Sequence, residues 1–546
     1  MKFVKFALVI AIALCLTASV YAETQSVKVS GDLTVRGLWR SGYDYRSETP
    51  EPLGTIAAPR TGMTADTTGM GTGAVGFSAP GTSQSWFMST TEVQIDADLT
   101  DNVSTCIRIL NERDWNKTSK NIGNLAGGNL PGPGGTITTL APNGLGGYAP
   151  DANEFAIDLD LAYVKLKNFI YSPLTVTIGR QDLWFGKGFI VGSNHVFNNW
   201  ANNSVNTDGL YYTKLNAPEY TAQTAFDSVK AVLDYDPWTI TGVYSKLWTN
   251  SVSIDDDVDL YGLNVGYKFD HYKAEAEAYW FFKYDRSMET WGDNKNSKNN
   301  DVHTVGMRGS FDPIDTVTVA GEGAYQFGSY SGSRLDNYAR ARSAYALDFS
   351  AEWRGLMDKF AWKPKAGVEY ILYSGDRVSD VNGPNRDSGQ MGTYTGWDPM
   401  FRGKFDSAIR EFVGTYYASY AYPANGLSRN TCMDASFTNQ SQVVFSGSVQ
   451  PIDSLTLKGN MNMFWTYNDY FVARSINGAP NITGANSNAY RSGYIGTEFD
   501  GQALWDYTED VSFGVLYGLF VPCGDIYYGG NNDVATDLVG TVKVSF

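Results

Sequence analysis

The sequence predicts an all-β fold of one kind, a transmembrane antiparallel β-barrel of about 18 strands. Three observations predict it. Segments with two-residue alternation of apolar and polar side chains recur from residue 27 onward, and the connections between them alternate long and short. The last segment, "DLVGTVKVSF", ends on an aromatic residue. Period-two alternation marks a strand with one apolar face. An even set of such strands, with tight turns at one end and long loops at the other, is the pattern of a barrel that crosses a bilayer.

The first element is not a strand. "MKFVKFALVIAIALCLTASVYA" has a basic start at Lys2 and Lys5, an apolar run and Val20-Tyr21-Ala22 at its end. This pattern predicts a signal peptide over 1–22, leaving 23–546 as a single barrel domain. Cys15 lies inside the apolar run, with Leu14 where a lipoprotein signal needs a small residue. Beyond the leader, no stretch approaches the roughly 20 apolar residues of a membrane-spanning helix.

The strands follow in order: 27–41, 85–99, 103–114, 154–167, 173–184, 222–235, 238–249, 258–270 and 272–284, then 302–312, 315–328, 343–354, 360–373, 438–450, 454–469, 494–507, 511–522 and 535–546. In the first, Val27, Val29, Leu33, Val35 and Trp39 oppose Lys28, Asp32, Thr34 and Arg36. In the ninth, Ala274, Ala276, Ala278 and Trp280 oppose Lys273, Glu275 and Glu277. In the last, Leu538, Gly540, Val542, Val544 and Phe546 oppose Asp537, Val539, Thr541 and Lys543. Short connections such as "TDN" at 100–102 and "TED" at 508–510 read as turns. Those at 42–84, 115–153, 185–221 and 374–437 are rich in Gly, Pro, Asn and Ser, as exposed loops are. Within the last, 405–420 reads as a short helix.

An unpaired strand edge in lipid is very costly, so the last strand must pair with the first. Two aromatic girdles are expected at the membrane interfaces. Tyr43, Trp115, Trp248, Tyr284, Tyr330, Tyr373 and Tyr470 stand at the loop side; Trp238, Phe269, Tyr272, Phe311, Phe360 and Trp505 stand at the turn side.

Composition narrows the chemistry. The chain has 57 Gly, 35 Tyr, 28 Phe and 14 Trp against 3 His, with a formal net charge of −16. Such acidity speaks against nucleic acid as a partner. There is no CxxCH or CxxC spacing, and the acidic run at Asp255, Asp256, Asp257 and Asp259 lacks an EF-hand's glycine turn, so no metal or other cofactor is expected. Cys432 and Cys523 fall in loops and could pair or stay free. His195, His271 and His303 have no nucleophile motif beside them, so the chain does not read as an enzyme.

An 18-stranded lumen is too wide for side chains to fill, which predicts a water channel. The pore-lining candidates, read from the polar phase of each strand, are Arg36, Arg40, Glu92, Arg108, Glu112, Asp158, Asp160, Arg180, Arg308 and Glu322. Arg36, Arg40 and Arg108 could form the basic side of a constriction.

The fifth strand carries a more distinctive stretch, "GRQDLWFG", followed by an aspartate-glycine pair. Gly179, Arg180, Gln181, Leu183, Phe185 and Gly186, then Asp208 and Gly209, resemble the alginate-export family of outer-membrane barrels. A second echo is the aromatic-aspartate-proline segment at Trp397, Asp398 and Pro399. Where relatives often carry an arginine beyond the second glycine, this chain has Phe189, with Lys187 the nearest base.

The resemblance implies a Gram-negative outer-membrane channel for a hydrophilic solute, an oligo- or polysaccharide in the family. Its expected partners are outer-membrane lipid, that solute, and the barrel-assembly machinery acting on the C-terminal strand. Two other readings stay open from residues alone: a small-solute porin with weak cation preference, and a non-conducting barrel scaffold or surface-binding protein.

Overall fold

The computed structural model describes residues 26–42, 83–115, 157–194, 217–248, 257–286, 300–330, 340–355, 360–375, 393–411, 437–468, 493–523 and 534–546, with a few residues between 470 and 491. The leader, Tyr43, most of the 115–153 loop, His195, Asp208, Gly209, Asp255, Asp256 and Cys432 lie outside them.

Eighteen strands form one closed antiparallel sheet. They are β1 (Ser26–Ser41), β2 (Gln84–Thr100), β3 (Val103–Asp114), β4 (Asp158–Leu166), β5 (Leu174–Gln181) and β6 (Phe226–Tyr235). Next come β7 (Trp238–Trp248), β8 (Val258–Lys268), β9 (Glu275–Asp285), β10 (Asn300–Ile314), β11 (Val317–Tyr330) and β12 (Arg340–Trp353). The last are β13 (Lys365–Tyr373), β14 (Gln440–Ile452), β15 (Leu455–Thr466), β16 (Tyr494–Asp506), β17 (Val511–Pro522) and β18 (Ala535–Ser545). Each pairs with its successor, and β18 pairs back with β1 from Ser41↔Thr536 to Asp32↔Ser545. Phe546 extends the seam: its N–H donates to Gly31 O and its carbonyl accepts from Gly31 N, both at 2.9 Å. The 18-stranded sheet has no open edge, which is what the hydrocarbon of a bilayer demands.

The expected strands are all present, with shifted ends. The fifth stops at Gln181 rather than 184, and the sixth starts at Phe226 rather than 222, because there the chain has already left the wall.

Alternation sends apolar side chains outward. Leu33, Ile95, Leu263, Phe349, Phe499 and Leu538 are all exposed on the outer wall, where lipid rather than water meets them. Near the long-loop end, Tyr244, Tyr261, Phe282, His303 and Phe327 are successive register partners on β7–β11. Their ring centroids lie 5.1, 5.9, 4.1 and 5.0 Å apart. Two residues farther along β7–β10, and continuing onto β6 and β5, runs a polar row, Arg180, Asp227, Lys246, Asp259, Tyr284 and Asp301. The step from an aromatic row to a charged one marks the outer membrane–water boundary. His303 sits in that outward belt.

Two residues expected in the girdle do not belong to it. Tyr330 and Tyr373 point inward and are 4 % and 1 % exposed, Tyr330 stacked on Tyr394 with centroids 3.5 Å apart. They are aromatic because the chain folded into the lumen needs a surface to pack on, not because of the membrane.

Candidate functional site

Among the described residues, three inward segments narrow the lumen. The first, 182–194, continues the fifth-strand motif. Gly179 has φ +126, and a Cβ there would lie 2.1 Å from Ala162 O, so the bend tolerates only glycine. Gln181 is 2 % exposed, and its side-chain amide reaches Thr177 O at 3.2 Å, Gly179 O at 3.4 Å and Ser228 O at 3.1 Å. Gly186 (φ +55) turns the chain inward, and a Cβ on it would sit 3.1 Å from Arg308 Cδ. Leu183 and Phe185 then pack into a luminal apolar cluster with Phe281, Ile371 and Phe401. Lys187 Nζ reaches Ser350 Oγ at 2.8 Å. The motif therefore bends the chain off the wall.

The second segment, 393–411, is a strap across the barrel. Its aromatic-aspartate-proline stretch pairs with the first segment. Gly192 N and Ser193 N donate to Phe401 O at 2.7 and 2.9 Å, and Phe401 N donates to Ile190 O at 2.9 Å. Asp398 ties the strap to β9 through Lys283 at 2.7 Å and lies 4.0 Å from Arg342 of β12. Burial would raise the Asp398 carboxyl, but Lys283 and Arg342 outweigh it and hold it below the usual carboxylate range.

Farther along, Lys404 is held by Asp348 at 3.1 Å and by Glu369. Arg402, 1 % exposed, lies 5.2–5.5 Å from the ring centroids of Phe189, Tyr373 and Phe437 and 3.0 Å from Asp406. A guanidinium can be buried this deeply only with carboxylate and ring partners around it.

The strap ends on the far wall. Ile409 N and Arg410 N donate to Glu498 at 2.7 and 2.8 Å, and Ala408 N to Asp500 at 3.3 Å. Ser407 Oγ accepts from Glu411 N at 3.1 Å while Glu411 Oε2 accepts from Ser407 N at 3.0 Å, a reciprocal cap. The helix expected over 405–420 begins here, at Arg410; its remainder lies outside the described residues.

The third segment, 217–225, lies along β1–β4. Glu219 pairs with Arg40, Thr221 Oγ1 and Ala222 N donate to Glu112 at 2.7 and 2.5 Å, and Gln223 Nε2 donates to Asp158 at 2.8 Å. Between this arm and the strap remains a cavity of ≈ 510 Å³, lined by Tyr220, Phe405, Ser407, Asn460, Gln502 and their neighbours.

Most of the expected pore residues are therefore engaged. Arg40, 6 % exposed, is held by Glu219 and by Asp537 at 3.3 Å. Arg108 binds Asp160 at 2.5 Å, with Glu92 at 3.9 Å. Arg36 lies 5.1 Å over the Tyr220 ring. These three do not form an open basic side, because carboxylates and an aromatic ring from other elements cover them. Arg308 is paired with Glu275 and Glu277 at 2.8 and 2.7 Å, and Glu322 accepts from Tyr279 Oη at 2.8 Å. Arg180 is not pore-lining: it stands in the outward row, 3.4 Å from its register partner Asp227. In the acidic run, Asp257 and Asp259 both pair with Lys246, at 2.5 and 3.1 Å. Cys523 has no disulfide partner among the described residues.

Alternation along strands did not find the strap's residues, since they lie in a loop. The usable signal was the charge density from Asp398 to Glu411, mixed with Trp397, Phe401 and Phe405, which an exposed loop would not need.

No curated protein matches the chain. Among solved structures it is similar to Acinetobacter baumannii OccAB1, at 10 % identity and TM-score 0.48, covering 97 % of this chain and 99 % of that one. It is also similar to Pseudomonas aeruginosa OpdQ, at 10 % identity and TM-score 0.46, covering 95 % and 98 %. The family model for alginate export matches residues 61–540. That span takes in nearly the whole barrel and both motif segments: the chain belongs to the alginate export family, as a non-enzymatic channel of the Gram-negative outer membrane.

Proposed function

We propose that this channel passes an extended hydrophilic chain, an oligo- or polysaccharide, through the gap between the strap and the 217–225 arm. The observation that carries the reading is the lining of the ≈ 510 Å³ cavity. Hydroxyls and amides of Ser446, Ser448, Asn460 and Gln502 face it beside the rings of Tyr220 and Phe405. Polar groups that can exchange hydrogen bonds with sugar hydroxyls, next to aromatic surface, suit a saccharide better than a bare ion. The family description, alginate export, agrees with such a cargo.

Most charges along the wall are mutually paired, so selectivity among small ions should be weak. The C-terminal strand, closing on Gly31, is in this reading the segment the barrel-assembly machinery takes up. The test is single-channel conductance of the refolded chain in a planar bilayer, with neutral oligosaccharides and oligo-uronates of equal length as blockers. Current interrupted by either oligosaccharide supports the reading. Open current untouched by both would make this a small-solute porin, and no current at all would make it a scaffold.

A further inference from the structure

We propose that the cavity below the strap holds a two-lysine subsite, Lys365 and Lys458, for an oxyanion group of the solute, reached from the periplasmic side. It rests on the channel reading and adds to it a place and a direction of capture.

Lys365, Ser448, Lys458 and Gln502 form one cross-strand row, each the register partner of the next on β13–β16. All four line the cavity. With strands about 4.8 Å apart, the two lysine backbones stand roughly 10 Å apart. Flexible four-carbon stems let both ammonium groups converge on one group between them.

These lysines differ from the ion-paired cations of the inner wall. Arg40, Arg108, Lys283 and Arg308 each have a carboxylate within 4 Å. Lys365 and Lys458 are exposed and have no ion-pair partner among the described residues. The acidic groups nearby are already engaged: Asp406 with Arg402 and Lys404, Asp500 with Ala408 N and Asn462. Glu352 faces the same cavity without a partner among the described residues, so the two lysines carry one positive charge in excess. Two ammonium groups flanking a serine hydroxyl, with one positive charge in excess, present donors that fit a carboxylate or phosphate oxygen.

The location gives the direction. Lys365 is the first residue of β13, and Lys458 lies three residues inside the start of β15, both at the short-turn end of the barrel. That end faces the periplasm in such barrels. The strap, fixed from Asp398 to Arg410, lies between the pair and the outer mouth. An anionic sugar arriving from the periplasm meets the lysines before the constriction; one arriving from outside meets the strap first.

The experiment uses single channels of the full mature chain, with orientation read from an antibody epitope placed in the β11–β12 connection. Glucuronate, glucose 6-phosphate and glucose are added to each side in turn. Glucuronate, glucose 6-phosphate or both should interrupt the current at least severalfold more strongly from the periplasmic side, and glucose should show no such asymmetry. Which anion acts at lower concentration tells a carboxylate from a phosphate site. Lys365→Gln with Lys458→Gln should weaken the periplasmic block roughly tenfold, and Lys458→Arg should retain most of it. Equal block from both sides, or sided block that survives the double substitution, would overturn the subsite while current through the channel still stands. Absence of any current would overturn the channel reading and the subsite with it.

Discussion

Gly192 and Gly403 lie backbone against backbone in the lumen, although 211 positions separate them in the chain. A Cβ on Gly403 would lie 2.7 Å from Gly192 C, and one on Gly192 would lie 2.9 Å from Gly403 Cα. Each glycine belongs to one of the two inward segments, so the close approach is what lets one segment brace the other. Gly403→Ala should force them apart at a cost of about 1–3 kcal/mol. Thermal unfolding should move down, and single-channel current should become noisier or larger. Gly501→Ala is the control, because nothing lies within 4 Å of its added Cβ. Equal behaviour of the two variants would show that the segments do not brace each other.

Asp398 holds the other end of the strap. Lys283 and Arg342 are 5 % and 4 % exposed, so Asp398→Asn leaves two buried cations with too little negative charge. Breaking a buried pair from one side costs about 3–5 kcal/mol. We expect the strap to leave the wall and conductance to rise, with Lys283 becoming reactive toward amine reagents. Pairing Asp398→Asn with Lys283→Met should recover part of the loss. A conductance and reactivity that stay at wild-type values would mean that the strap is held elsewhere.

The barrel was legible because every strand obeys one local rule, apolar residues at every second position, and the closing strand obeys it to the last residue. What lies inside the barrel was legible only as the motif echo at Trp397, Asp398 and Pro399 and not as contacts, for a physical reason. Arg40 and Arg108 look like free luminal charges when each strand is read alone; Glu219 comes from an arm whose path no periodicity encodes, and Asp160 from the neighbouring strand β4, whose register against β3 alternation does not give. Tyr330 and Tyr373 looked like membrane aromatics because they stand at the right height; only the folded strap shows that they face inward. The motif was found but its arginine was misplaced, since Gly179 and Gln181 do the bending while Arg180 points out.

That division within the motif is testable. Arg180 forms an exposed pair with Asp227, whose side chain is 64 % exposed, and such pairs contribute about 0–1 kcal/mol. Arg180→Ala should therefore leave conductance and melting close to wild type. Gln181→Ala removes a buried amide from three carbonyls and should cost about 1–3 kcal/mol. A reversed order of damage would return Arg180 to a functional role.

The strap should loosen in alkali. Glu411 is fully enclosed by Asp406, Arg402, Ser407 and Tyr373, and burial followed by the Asp406 charge pushes its carboxyl up to about 8 against an ordinary 4.5. Docked, Glu411 keeps its proton until about pH 8; released, it gives the proton up near 4.5. Docking is therefore fully favourable below pH 4.5 and weakens as pH rises through the window to 8, by at most ~1.4 kcal/mol per unit. Hydrogen exchange at the Asp406 and Ser407 amides should quicken between pH 5 and 9 beyond its intrinsic increase. Glu411→Gln should flatten that excess. An excess that persists in the glutamine variant would assign the effect to another group.

The seam between the last strand and the first has its own requirement for a small residue. A Cβ on Gly31 would lie 2.6 Å from the Phe546 ring and 2.7 Å from Glu92 O, while Gly31 and Phe546 exchange two backbone hydrogen bonds. Phe546 can thus lie over β1 only where β1 has no side chain, and the ladder then runs to the last residue. Gly31→Val should push the ring away and break both bonds, each of which would otherwise be left unmet at the membrane edge. The expected result is a lower folded yield, read as a smaller heat-modifiable fraction on a gel, with channels that do fold conducting normally. Deleting Phe546 should lower the yield in the same way, and Gly31→Val should add little further loss in the shortened chain. Fully additive losses would mean that Gly31 and Phe546 act separately and that the closure depends on the rest of the β18–β1 ladder.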